Sequence, residues 1–424
     1  RFYKEEIAMQ NKVRYSKGKR LKKGESELAN GTYRYRYQSR SGKRVYIYAK
    51  TLDELRQKEE TVETNKAYGI RVDSMNTTLD QLAGSWFSLK KGLKENTYQN
   101  YLYMYNTFVR DELGGYKIMS IRYADILGFY NELVEVKGLK PNTVDNIHTV
   151  VHQVLDFAVQ NNFLMNNPSD NALRHLKLES KQHTEKRISL TLAEQQLFID
   201  YMLKYPQCNH WYPIFYIMLN TGMRVGEITG LRWQDVNLEN DLITVDHTLV
   251  YFNHSENGCH YNIHTPKTRS GERTIPMLSG VKAAFEQERK FQQEAGIKCD
   301  VVIDGYSDFI FTNRYGNVHN QSTLNRALKR MIADCNREQL ANNPKNADVT
   351  LLPNFSCHIL RHTFATRLCE SGVNIKVIQD VLGHADFDTT MNVYTDATKD
   401  FKQQEFRELD RLISNGGSFE KSDE

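Results

Sequence analysis

The sequence predicts a multidomain chain, mainly α with small β-sheets: an N-terminal three-stranded sheet plus helix, a helical middle, and a mixed α/β C-terminal half. Three observations predict it. At 424 residues the chain exceeds what one core ordinarily serves, so two or three domains are expected. Tyr33, Tyr35 and Tyr37 alternate with Arg34, Arg36 and Gln38, which is the period of a strand. From 78 to about 167 the apolar residues recur at helical spacing instead, and after Thr191 helical and strand patterns mix. A hydrophobic content of 40% and a charged content of 25% are those of globular proteins.

The N-terminal module is the most basic part of the chain. Residues 1–50 hold fifteen Lys or Arg against four Glu, whereas the whole chain carries a net +4. A basic module on a near-neutral body suggests contact with a polyanion. The alternation puts Tyr33, Tyr35 and Tyr37 on one strand face and Arg34, Arg36 and Gln38 on the other. Ser41-Gly42 supplies a hairpin turn into Lys43-Arg44-Val45-Tyr46-Ile47-Tyr48-Ala49. Thr51 is expected to cap a helix running to about Lys66, with Glu54 completing a capping box. The aromatic face can pack on that helix, leaving an arginine face able to enter a major groove, where Arg reads guanine. Arg34, Arg36, Arg40 and Arg44 are the candidate DNA-contacting residues. An ordinary polar outer face on a small sheet would read the same way.

Residues 67–77 read as a linker. Helices then follow from Leu79, Leu82, Trp86 and Leu89, from Tyr98, Tyr101 and Tyr105, and over 123–136 and 143–161. The tyrosine spacing reads as core packing rather than base stacking. Lys94-Glu95-Asn96-Thr97-Tyr98 and Pro141-Asn142-Thr143-Val144 look like helix starts. Helix N-termini suit phosphate, so Lys94, Thr97 and Thr143 are further DNA-contact candidates. Asn167-Pro168-Ser169 ends this unit, and 169–187 reads as an interdomain linker. Beyond it, helices are expected at 191–204 and 210–221, and another opens at Arg224. Asp241-Leu242-Ile243-Thr244-Val245 and Thr274-Ile275-Pro276-Met277 read as strands flanking a hairpin that carries Lys267. Three or more helices follow Leu278, and the tail 413–424 is weakly structured by composition. The six cysteines form no C-x-x-C pair, so neither a disulfide framework nor a zinc knuckle is expected. No apolar run is long enough to span a bilayer, and a reducing cytoplasm is the simplest compartment.

Six polar residues in a fixed order carry the chemistry: Arg224, Lys267, His358, Arg361, His384 and Tyr394. Their phrases are Thr221-Gly222-Met223-Arg224-Val225-Gly226-Glu227, Thr265-Pro266-Lys267-Thr268, His358-Ile359-Leu360-Arg361-His362-Thr363, Leu382-Gly383-His384 and Asn392-Val393-Tyr394-Thr395. A phosphodiester under attack gathers charge on its non-bridging oxygens. Two guanidiniums, Arg224 and Arg361, can bind those oxygens with paired hydrogen bonds and remain charged. Such preorganised charge is worth roughly 3–4 kcal/mol per donor. A tyrosine phenol attacks only once its proton is removed, which histidine can do, and a lysine can protonate the leaving oxygen. The competing reading is zinc held by His358 and His362 with Cys357 or Cys369. It is weakened by the lack of a glutamate beside His358 and by the charge of Arg361.

With these phrases the chain resembles the tyrosine recombinase (phage-type integrase) family, over most of its length and most specifically over 188–412. The phrases Thr265-Pro266-Lys267-Thr268-Arg269-Ser270-Gly271-Glu272-Arg273 and Asp304-Gly305-Tyr306-Ser307-Asp308-Phe309 are similar to those of integrases of conjugative transposons. The resemblance implies an arm-type DNA-binding domain at 1–70, a helical core-binding domain at 75–170, a mixed α/β tyrosine recombinase catalytic domain at 185–412 and a tail at 413–424. It implies that Arg224 and Arg361 clamp the scissile phosphate and that His358 hydrogen-bonds it and accepts the tyrosine proton. Lys267 would protonate the 5′-hydroxyl, and His384 would support the transition state. Tyr394 would form a 3′-phosphotyrosyl bond, with Glu227 supporting the site. It also implies double-stranded DNA with core-type and arm-type sites, a homotetramer on two duplexes passing through a Holliday junction, and an accessory DNA-bending or excision factor. No cofactor, metal or membrane is implied, and the location would be cytoplasmic, with the bacterial nucleoid. The ten residues from His384 to Tyr394 are one more than a common spacing of the family. A type IB topoisomerase shares the chemistry, a host chromosome-dimer resolvase shares the fold, and a non-catalytic DNA-binding regulator could keep the fold alone. The basic N-terminal module argues against the first two. The six filled positions argue against the third.

Overall fold

A computed structural model of the chain describes residues 14–38, 42, 44–70, 76–90, 92–174, 189–253, 258–266, 269–343, 349–384, 387–388 and 390–391. It divides into two compact units, Arg1–Thr184 and Glu185–Glu424.

The first unit begins with two short strands, β1 (Tyr15–Ser16) and β2 (Lys19–Arg20), and a three-stranded antiparallel sheet of β3 (Glu25–Glu27), β4 (Tyr33–Gln38) and β5 (Arg44–Ala49) in that order. Tyr33 and Tyr37 are buried and Arg36 and Gln38 exposed, as alternation requires. Tyr33 and Ala49 pack with Leu52 and Leu55 of helix α1 (Leu52–Ala67), and Tyr37 packs with its Val62. Thr51 caps α1 by accepting from the Glu54 N–H at 3.2 Å. The expected capping box is not reciprocal: the Glu54 carboxylate accepts from the Lys50 N–H, one residue upstream of the cap. The chain enters the helix at an angle that brings Lys50, rather than Thr51, over the acid.

A helical bundle follows: α2 (Leu79–Leu89), α3 (Glu95–Met104), α4 (Tyr123–Glu135) and α5 (Pro141–Gln160). Thr78 and Gln81 form a true capping box on α2. A π-helical turn at Tyr105–Val109 continues α3 and turns Tyr105 into the core. The central α5 buries Val144, Ile147, Val150, Val151, Val154, Leu155 and Ala158 in one apolar stripe. Ala172 and Leu173, expected in a linker, are buried in this same cluster. Their two apolar side chains override the polar composition around them.

The second unit starts with α6 (Leu192–Lys204), capped by a Thr191–Glu194 box, followed by α7 (Tyr212–Thr221) and the short α8 (Val225–Thr229). Strands β6 (Val236–Asn237) and β7 (Leu242–Val245) come next, then β8 (Thr248–Asn253), β9 (Cys259–His264) and β10 (Arg273–Pro276). The expected strands pair with each other directly, Ile243 opposite Ile275, in a sheet of order β10-β7-β6. Between them in sequence, β8 and β9 form a separate two-stranded sheet. Lys267 falls after that hairpin, on the connection to β10, and lies outside the described residues. Among the described residues four helices follow: α9 (Ser279–Ala295), α10 (Gln321–Asn342), α11 (Cys357–Glu370) and α12 (Ile375–Leu382). One core joins α6, α7, α9, α10 and α11 through Phe198, Phe215, Phe285, Leu328 and Leu360. Among the described residues, no helix is long and apolar enough to cross a membrane.

Candidate active site

The site is built where three helix ends and one strand meet. Helix α7 stops at Gly222, whose φ of +62° turns the chain back. A Cβ there would sit 2.6 Å from Phe364 and 2.8 Å from Leu382, so glycine alone fits both the conformation and the space. The turn delivers Arg224 to the start of α8, with Glu227 one turn later. Glu227 accepts from the Arg224 N–H and from its guanidinium, both at 2.8 Å. Arg361 projects from the second turn of α11. It is 5% exposed and donates to the Gly222 carbonyl at 2.7 Å and to the Leu382 carbonyl at 2.6 Å.

Helix α12 ends at Gly383, with φ +64°. Its last carbonyls have no partner within the helix and sit at the negative end of the macrodipole. Each of three successive ones takes a different arginine. Val381 accepts from Arg273 at 2.6 Å, Leu382 from Arg361, and Gly383 from Arg224 at 3.0 Å. Arg273 also holds Glu227 with both terminal nitrogens, at 2.8 and 3.1 Å. Three guanidiniums therefore converge on one helix end, and two of them share one carboxylate.

The electrostatics follow from this crowding. Burial alone would raise the Glu227 carboxyl, but the hydrogen bonds and charges of Arg273 and Arg224 outweigh it and hold the group at about 2. Burial, reinforced by Arg224, pulls Arg361 down to about 9. Burial and then the charges of Arg361 and Arg224 lower His384 to about 4, so its imidazole is neutral at physiological pH. The His384 Nδ1 lies 3.0 Å from the buried Thr390 hydroxyl. An excess of fixed positive charge beside a neutral imidazole is a pocket for an anion that accumulates charge as it reacts.

Of the residues singled out in the sequence, Arg224, Glu227, Arg361 and His384 thus come together. His358 is exposed on the first turn of α11, one turn before Arg361, its ring edge-on to His362 at 4.6 Å. Cys357 and Cys369 are buried while His358 is exposed, which does not favour the zinc reading. Lys267, Tyr394 and Arg40 lie outside the described residues. Arg34 is half-buried, with its Nε donating to Ser26 at 3.3 Å and its guanidinium over the Tyr46 ring. Arg36 and Arg44 are exposed. Lys94 is the exposed N-cap of α3, with Thr97 in its first turn, and Thr143 lies in the first turn of α5. Arg273 was missed by sequence reasoning. Its signal was parity: two residues before the buried Ile275 on β10, it shares the inward face, where a charge must be paired.

The phage integrase family matches residues 189–400, the DNA-binding domain of Tn916 integrase matches 9–66, and the phage integrase N-terminal SAM-like domain matches 78–134. The chain is 30% identical over 419 residues to the transposase from transposon Tn916 of Enterococcus faecalis, covering 95% of this chain and 98% of that protein. The transposase from transposon Tn1545 of Streptococcus pneumoniae matches to the same extent. A solved structure of the Tn1549 transposon integrase with transposon right-end DNA superposes with a TM-score of 0.67. It is 28% identical and covers 78% of this chain and 99% of that one. The chain belongs to the phage integrase family of tyrosine recombinases, enzymes that cut and rejoin DNA at specific sites.

Proposed function

We propose that the chain integrates and excises a conjugative-transposon type of mobile element through a 3′-phosphotyrosyl intermediate and a Holliday junction. Tyr394 attacks the scissile phosphate, which Arg224 and Arg361 clamp. His358 takes up the phenol proton, Lys267 protonates the departing 5′-oxygen, and the neutral His384 donates its ring N–H to a phosphate oxygen as charge builds. Glu227 holds Arg224 in place. The observation that carries this reading is the convergence of Arg224 and Arg361 on the end of α12, immediately before His384. An anion entering there meets guanidinium donors already oriented, so little reorganisation is needed in the transition state.

The rest of the chain is assigned around that centre. Residues 1–70 read arm-type sites through the β4–β5 face, residues 75–170 grip the core-type site, and residues 185–412 carry the catalysis. Relatives of the Tn1549 group are solved with transposon-end and circular-intermediate DNA, which supports double-stranded DNA as the partner. Four copies on two duplexes exchange the strands in the bacterial cytoplasm, with an accessory bending or excision factor setting direction.

The test is covalent capture. A nicked suicide duplex bearing the core site should trap the parent as a protein–DNA adduct. Tyr394→Phe should bind the same duplex and give no adduct. An adduct in the Phe variant, mapped to another residue, would sink the assignment.

A further inference from the structure

Arg273 has no part in the roles just given, yet among the described residues it is the most heavily bonded side chain of the site. It is 5% exposed in its side chain. Its Nε donates to Val381, and its terminal nitrogens donate to Glu227 and to the Gly271 carbonyl. One guanidinium thereby ties the start of β10, the acid of α8 and the last turn of α12. The strand it opens follows directly on the segment that carries Lys267, and the helix end it caps leads into His384.

The consequence concerns charge. Glu227 is a buried carboxylate, and a buried carboxylate requires a cationic partner. Two guanidiniums compete for it, Arg273 from within and Arg224 from the half-exposed rim, where the Arg224 side chain keeps 44% exposure. With Arg273 in place the carboxylate is matched, and Arg224 spends one terminal nitrogen on it and the other on Gly383. Without Arg273, Arg224 would be the one hydrogen-bonded cation left to Glu227 among the described residues and would be drawn inward from the rim, and a guanidinium turned wholly toward a buried carboxylate is not offered to a phosphate.

We propose that Arg273 is a positioning residue for strand transfer: by matching Glu227 and pinning the end of α12, it leaves Arg224 free to clamp the scissile phosphate. The inference rests on the phosphate-clamp reading of Arg224. Lysine cannot replace it, because an ammonium cannot bridge two carboxylate oxygens and a carbonyl at fixed angles.

The experiment compares the parent chain with Arg273→Lys, Arg273→Gln, Glu227→Gln and Arg224→Gln. Core-duplex binding and single-turnover adduct formation are measured on two suicide substrates, one with an ordinary scissile phosphate and one with a neutral methylphosphonate there. A neutral phosphate has less need of a guanidinium. On the ordinary substrate, both Arg273 variants should bind the duplex and lose adduct formation on the order of 100-fold, the scale of a misplaced catalytic group. On the methylphosphonate the loss should shrink about tenfold or more, in parallel with that of Arg224→Gln. A loss equal on both substrates for the Arg273 variants, with that of Arg224→Gln shrinking, would show a merely structural arginine and overturn the proposal. Failure of Arg224→Gln itself to improve would overturn the phosphate-clamp reading, and this inference with it. Should the Arg273 variants not fold, Arg273→Gln placed on a Glu227→Gln background decides: with no carboxylate left to draw Arg224 inward, it should form adduct on the ordinary substrate nearly as fast as Glu227→Gln alone, and a further loss on the order of 100-fold would refute the idea.

Discussion

At the scale of single residues, burial decides which side chains hold their charge. Glu227 and Glu288 make the contrast. Both are almost fully buried, but Glu227 lies between two arginines, and Glu288, on α9, has a bond from the Gln292 amide at 2.7 Å. Burial therefore pushes Glu288 up to about 7, only partly opposed by Gln292. The sign of the linkage follows. A carboxyl held above its ordinary value of 4.5 keeps its proton in the folded state while the unfolded chain releases it, so stability is lost as pH rises from about 4.5 through about 7. Glu288→Gln preserves the acceptor toward Gln292 and removes the titration. It should stabilise the catalytic unit at about pH 8.5 by an amount on the order of 3 kcal/mol and change little near pH 5. Melting temperatures of parent and variant across that range check it, and a pH-independent difference would refute the assignment.

At the scale of elements, the site is made from helix ends rather than helix faces. The end of α7 offers the Gly222 carbonyl to Arg361, the start of α8 offers Glu227 to Arg224, and the end of α12 offers three carbonyls to three arginines. Helix ends leave backbone groups unsatisfied, so they are natural anchors for charged side chains. The turn at Gly222 is the joint of this arrangement. Gly222→Ala would demand a left-handed conformation from an L residue, a cost of about 1–2 kcal/mol, and push a methyl into Phe364 and Leu382. The variant should lose at least that much stability in denaturant titration. It should also form adduct more slowly than its remaining folded fraction predicts, because the carbonyl that orients Arg361 moves. Cleavage in proportion to folded protein would show that Arg361 keeps its place without that bond.

At the scale of the molecule, the N-terminal sheet, the helical bundle and the second unit each have their own core. The N-terminal sheet packs Tyr33, Tyr37 and Ala49 onto α1 and turns Arg34 and Arg36 outward, opposite Tyr48 and Tyr46 of β5. Those two tyrosines are themselves exposed, 52% and 38%, so the face is aromatic as well as basic. Replacing Arg34 and Arg36 together with Ala should weaken binding to arm-type duplexes by roughly 1–3 kcal/mol for each base-reading arginine removed. Cleavage of a short core-site suicide duplex should be unchanged. Competition binding on arm and core duplexes is the measurement, and an equal weakening on both would show that the sheet is not a separate reader.

What the sequence determined by itself was local or chemical. The period-2 alternation set the faces of β4, the helical spacing set α5, and the phrases around Arg224, Arg361 and His384 announced phosphodiester chemistry, because residue type and short-range order suffice for each. The direct pairing of β7 with β10, past an inserted hairpin, was not legible, since strand partners are chosen by burial across more than local sequence. Nor was Arg273. Its importance comes from Glu227 and Val381, which lie far from it in the chain and meet it only when three elements fold together. Tertiary structure alone decided the charge states too. Glu227 and Glu288 are the same residue type. The arginines packed around the first, where the second takes a bond from the neutral Gln292 amide, separate a group at about 2 from one at about 7.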